Sequence, residues 1–113
     1  METPPSFQRI NLKELSQQIT ADYHNRVVKE VNESCLHLAV MKGTYPWHRH
    51  PDADELFLVL EGELIIEFQD REAVSLKPSE ILMIPAGVIH RTRALQRTVN
   101  LCFERTEGTT EFI

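Results

Sequence analysis

The chain has 113 residues, 42% hydrophobic and 26% charged, with a net charge of −5 and a pI near 5.5. That length suits one domain with one core, and the composition is that of a globular protein. The acidic balance excludes a general nucleic-acid binder, which needs a basic stripe to displace counterions, and no apolar run approaches the roughly 18 residues of a membrane span.

Residues 1–10 read as a loose arm. Pro4 and Pro5 lie in it, and no apolar stretch of the secretory kind is present. Asn11 reads as a helix cap with Glu14 three positions on, and Leu12, Leu15 and Ile19 follow at helical spacing. A short helix over 12–19 is expected, too short to stand alone and so laid against something larger. The first 22 residues are thus arm and helix, and residues 23–113 form the barrel domain.

From there the period becomes strand-like. Val27, Val28 and Val31 mark a first strand, and Cys35–Lys42 a second, stopped by Gly43 and Pro46. Glu55–Leu60 and Glu63–Phe68 flank a Glu61-Gly62 turn, and Gln69–Glu72 makes the next turn. Ala73–Leu76, Ile81–Ile84, Val88–Arg93 and Thr98–Glu104 complete the set. About eight short strands with turns at roughly 8–12-residue intervals predict an all-β sandwich or barrel. Cys35 and Cys102 each sit inside an apolar run, far apart, and read as buried reduced thiols. Reduced thiols point to a cytoplasmic setting.

The informative segment is Trp47-His48-Arg49-His50. Alternation along a strand puts His48 and His50 on one face, where two imidazoles can share an ion. Asp52 and Asp54 read as turn residues, and Glu55, opening the next strand, can reach back to the same point. His90 follows the Pro85-Ala86-Gly87 turn. Three imidazoles and a carboxylate suit Fe, Mn, Ni, Co, Cu or Zn and argue against Ca, which wants oxygen alone. Phe57 and Val59 share Glu55's face by alternation and are read as pocket wall or plain core. Trp47 is read as lining the pocket mouth or capping the sandwich. Arg49, Arg91 and Arg93 alternate away from the ligands toward solvent. His24 and His37 have no partner at useful spacing and read as surface or hydrogen-bonded residues. Lys42 is a weak candidate for anion binding.

The patterns H-x-H-x4-E-x6-G, present as His48, His50, Glu55 and Gly62, and P-x-G-x2-H, present as Pro85, Gly87 and His90, resemble the two cupin motifs. Together they span residues 43–94. The segment Asp54–Gly62 is similar to small one-domain cupins labelled as resembling mannose-6-phosphate isomerase, a label that does not establish that activity. There are departures. Four residues separate Gly43 from the histidine pair where the family has five, Ser79 takes the place of a glycine, and Ala94 that of an asparagine. A serine tolerates positive φ poorly, so a different turn is expected at Pro78-Ser79-Glu80.

The resemblance implies a cupin double-stranded β-helix, or jelly-roll barrel, behind a short N-terminal helix. It implies one divalent transition metal ion per chain on His48, His50, Glu55 and His90, and a homodimer with the N-terminal arm in its interface. The function it implies is a metal-dependent enzyme on a small oxygen-rich molecule, by oxygenation or by isomerisation through an enediolate. The alternative is a non-catalytic module that binds or senses a sugar or organic acid. No Walker loop, dinucleotide fingerprint or G-x-S-x-G elbow offers another chemistry.

Overall fold

A computed structural model of the chain describes residues 5–113. Of the expected arm, residues 1–4 lie outside the described part; Pro5–Arg9 is exposed and without regular structure. Helix α1 (Leu12–Gln17) opens at Asn11, whose side chain accepts from the Glu14 amide at 3.0 Å. It stops two residues short of the expected end, closing through tight bonds from Gln18 N to Leu15 O and from Ile19 N to Ser16 O.

The strands are β1 (Tyr23–Val31), β2 (Ser34–Thr44), β3 (His48–Arg49), β4 (Glu55–Glu61), β5 (Leu64–Phe68), β6 (Val74–Leu76), β7 (Ile81–Ile84), β8 (His90–Arg105) and β9 (Glu111–Phe112). All pairings are antiparallel. Two strands differ from expectation. The segments expected as Val88–Arg93 and Thr98–Glu104 are one 16-residue strand, and β9 adds a short closing strand. The exposed residues Leu95–Arg97 carry no strand-burial pattern, yet the backbone stays extended through them. Pairing on both sides of this stretch overrides local preference.

β8 organises the barrel. Its first part, His90–Ala94, pairs with β5 on one edge and with β3 and the end of β2 on the other. Its second part, Thr98–Arg105, lies between β2 and β4. β1, β7, β6 and β9 extend these pairs outward, so one nine-stranded sheet curls over itself. The interior packs Met41, Phe57, Val59, Leu64, Ile66, Leu76, Ile84, Ala94 and Cys102. A second apolar layer lies on the outer face, where Val28, Leu38, Val40, Val99 and Leu101 are covered by Ile10, Leu12, Leu15 and Ile19. That layer is the larger object α1 leans on.

The expected change of turn at Ser79 does not occur. Ser79 keeps a positive φ of 75°, with Pro78 before it and a bond from Glu80 N to Lys77 O at 3.0 Å. This is a type II turn with serine at the position glycine favours. Gly62 fulfils the glycine requirement differently: φ is 85°, and a Cβ would lie 2.6 Å from Thr98 Oγ1.

Candidate metal centre

β3 and β8 set His48 directly opposite His90, with ring centroids 4.3 Å apart. His50 lies one residue beyond β3, and Glu55 begins β4. The loops bearing them are tied together: Gly87 N donates to His50 O at 2.8 Å, and Ala86 N donates to Asp54 Oδ1 at 2.8 Å. Asp52 accepts from Thr109 N and Oγ1. Both aspartates are therefore turn residues that hold the ligand loops.

Potential ligand atoms of His48, His50, Glu55 and His90 all lie within 4.8 Å of one another. Three bonds orient the rings. Nδ1 of His48 meets Pro46 O at 2.8 Å, that of His50 meets Thr109 O at 3.1 Å, and that of His90 meets Val88 O at 2.9 Å. A carbonyl accepts only, so each Nδ1 carries the proton, and in the neutral ring Nε2 carries the lone pair. Nε2 of His50 and of His90 are each 3.3 Å from Glu55 Oε1, without hydrogen-bond alignment. Two imidazole lone pairs facing one carboxylate oxygen in a buried site repel unless a cation stands among them. The donor set thus fits a divalent transition ion.

In the metal-free chain a proton fills that need. The Glu55 carboxylate beside it raises His50 to about 9, against the opposing effect of burial. Burial lowers His48. Burial would raise Glu55, but the imidazoles of His50 and His90 beside it and the hydrogen bond from Cys102 outweigh burial and hold the carboxyl well below its usual range.

The site extends beyond the four expected residues. Cys102 Sγ donates to Glu55 Oε2 at 2.9 Å, leaving Oε1 for the histidines. Glu104 stands directly across from Glu55. Burial and the Glu55 charge raise it to about 7. His37 is a hydrogen-bonded residue, one of the two readings the sequence offered: its Nδ1 lies 2.8 Å from Asn25 Oδ1, and its Nε2 lies 3.2 Å from Cys35 Sγ and 3.4 Å from Glu104 Oε1. A cavity of about 130 Å³ opens beside the centre, walled by Tyr23, Asn25, Tyr45, Phe57, Thr92 and Asn100 among others. Counting by twos along β8 from His90 reaches Thr92, Asn100, Cys102 and Glu104. That signal was present in the sequence but cut by reading β8 as two strands.

Among the expected wall residues, Phe57 lines the cavity. Val59 and Trp47 do not. Val59, fully buried two residues further along β4, packs in the interior cluster. Trp47 alternates outward and carries the Arg91 guanidinium 4.6 Å above its ring. Arg91 also donates to Glu67 at 2.9 Å, and Arg49 to Glu111 at 2.7 Å, so neither faces the centre. Lys42 is exposed, away from the cavity lining.

Comparison with known proteins agrees with this architecture. The cupin domain family matches residues 36–102. The chain is 48% identical to the uncharacterized protein YdbB of Bacillus subtilis over 103 residues, 91% of each chain. A cupin-2 domain containing protein from Shewanella frigidimarina superposes with a TM-score of 0.80 at 32% identity, over 85% of this chain and 93% of that one. The DMSP lyase DddQ from Ruegeria pomeroyi gives 0.70 at 24% identity, over 80% of this chain and 51% of that one, a likeness of fold alone. The chain belongs to the cupin family.

Proposed function

We propose that the protein binds one divalent transition metal ion through His48, His50, Glu55 and His90 and acts as a metal-dependent enzyme on a small oxygen-rich molecule. The observation that carries this reading is the approach of His50 and His90 Nε2 to Glu55 Oε1, with a ligand atom of His48 in the same cluster and every Nδ1 already committed to a carbonyl. A divalent ion there would keep a net charge of about +1 and would polarise a substrate carbonyl or join an organic substrate to dioxygen. Around it, Cys102 orients Glu55, Phe57 shields one side, and the cavity admits a ligand larger than water. A cupin fold serves a lyase in DddQ, which supports an enzyme. Oxygenation and isomerisation both fit the donor set.

Elemental analysis tests the site. About one ion per chain is expected, lost in the His48→Ala/His50→Ala double variant; unchanged metal in a folded double variant overturns the assignment. Turnover of an oxygen-rich substrate panel that chelation abolishes supports the enzyme. Saturable binding without product supports the alternative, a sugar- or organic-acid-binding sensor.

The partner proposed besides a small molecule is a second copy of the chain. Edge strand β7 exposes Ile81 at 61% and Met83 at 50%, beside Leu56 and Leu58. A homodimer would cover this face; sedimentation as a monomer at micromolar concentration would overturn it. No helix among the described residues is long and apolar enough to cross a membrane. Both cysteines are free and buried, which supports the proposed cytoplasmic setting.

A further inference from the structure

Asn100 is 2% exposed, and its Oδ1 has no hydrogen-bond partner among the described residues. It lies in the middle of β8, directly opposite Ala39 on one side and Val59 on the other. Neither neighbour offers a side-chain donor. Met41 and Phe57, in the same cavity wall, offer none either, and the donors that the wall does hold, on Tyr23, Asn25, Tyr45 and Thr92, make no bond to Asn100 Oδ1. An amide buried with its oxygen unpaired costs the fold the desolvation that no bond recovers. A leucine there would avoid the cost. The side chain nevertheless borders the cavity that the histidines and Glu55 also line.

Its place relative to the centre is fixed by register. Cys102, which bonds to Glu55, is two residues further along the same face of β8, so Asn100 stands roughly 7 Å deeper along the strand. A ligand with one end at the histidines therefore reaches Asn100 with its body, passing between Phe57 and the small side chain of Ala39. The cavity of about 130 Å³ is far above the ~10–15 Å³ that a single water needs on the same measure.

We propose that Asn100 is a specificity-determining residue: its amide oxygen accepts a hydrogen bond from a hydroxyl carried by a small carboxylate whose carboxylate end sits at the metal. The ligand class is thus a short hydroxy acid. This rests on the metal site proposed above. A centre of net positive charge takes an oxygen anion, an acceptor reads a donor, and the apolar wall between them fits a short carbon chain.

The test uses matched acids that differ by one hydroxyl: 3-hydroxybutyrate against butyrate, and 4-hydroxybutyrate against butyrate. Each is titrated into Co(II)-loaded protein and followed by the cobalt absorption bands. In at least one pair the hydroxy acid should bind about tenfold tighter, as one buried hydrogen bond allows. The preference should vanish in Asn100→Leu, with Co(II) uptake unchanged. Metal-free Asn100→Leu and the smaller Asn100→Val should include at least one variant melting at or above the wild-type temperature. Absence of Co(II) uptake by the wild type would strike the metal site itself and this inference with it. Uptake with equal affinities in both pairs, or a preference surviving in Asn100→Leu, would overturn this inference alone. So would both variants melting well below wild type, because the amide would then serve the fold.

Discussion

Along Thr98–Cys102 of β8, both faces of the wall made by β2, β8 and β4 are buried, and they are built from different chemistry. On the outer face the register aligns Leu38, Leu101, Leu58 and Ile81 in one row across β2, β8, β4 and β7, and Leu36, Phe103, Leu56 and Met83 in the next. On the inner face, β8 presents Asn100, Cys102 and Glu104, with Glu55 across from Glu104. Every residue from Thr98 to Cys102 is buried. Burial alone therefore does not separate core from site. The difference is that the outer face gains free energy by leaving water, whereas the inner face spends it to keep donors and acceptors in place.

Truncation should expose that contrast most sharply. Leu38→Ala on the outer face should cost about 2–5 kcal/mol in denaturant unfolding, with metal uptake per folded molecule unchanged. Loss of metal from that variant while it remains folded would show that the two faces are not separable.

Cys102→Val should do the reverse. The hydrogen bond to Glu55 is lost, so metal affinity should fall about tenfold or more, whereas a swap of similar volume should change stability by less than about 1.5 kcal/mol. Cys102→Ser, which keeps a donor, should recover part of the affinity. Competition with a chelating dye measures both.

The pH response should differ between metal-free and loaded protein. His50 is raised from 6.5 to about 9, so its stabilising contribution is whole below pH 6.5 and lost as pH rises through 9. Glu104, raised from 4.5 to about 7, adds a loss in the same direction between those values. Glu55, held below 4.5, contributes fully above that value and loses its contribution on acidification. Metal-free protein should therefore melt lower at pH 9 than at pH 6. The gain in melting temperature from subsaturating metal should instead grow with pH, because protons and metal compete for the same nitrogens. A metal-induced shift equal at pH 5 and pH 7 would mean that carboxylates hold the ion.

The smallest effect is expected far from both faces. Ser79→Gly relieves the positive φ at the type II turn and should raise stability by up to about 1 kcal/mol in thermal unfolding, without altering metal affinity.

The barrel and the four clustered residues were legible because alternation, turn residues and both motifs point the same way. His48 and His50 share a face, and Pro85-Ala86-Gly87 sets up His90. What stayed hidden depends on contacts between distant strands. Leu95–Arg97 is exposed and breaks the burial pattern, so β8 reads as two pieces and the alignment of Cys102 and Glu104 with His90 is lost. His37 has Cys35 close by in sequence but meets Asn25 and Glu104 only through pairing. Val59 has the parity of a wall residue but packs in the interior cluster, the other outcome that parity allows.

The central place of β8 also bears on how the molecule comes into being. The strand that borders β2, β3, β4 and β5 spans residues 90–105, so those four strands are made before their common neighbour exists. During synthesis they leave the ribosome with unpaired edges, and the apolar rows of β2 and β4 have nothing between them. Closure is a late, non-local event, of the kind that folds slowly and leaves intermediates open to association. His90 and Cys102 arrive on that same strand, so the assembled metal centre and the completed sheet appear together, and a chain halted before β8 would have neither.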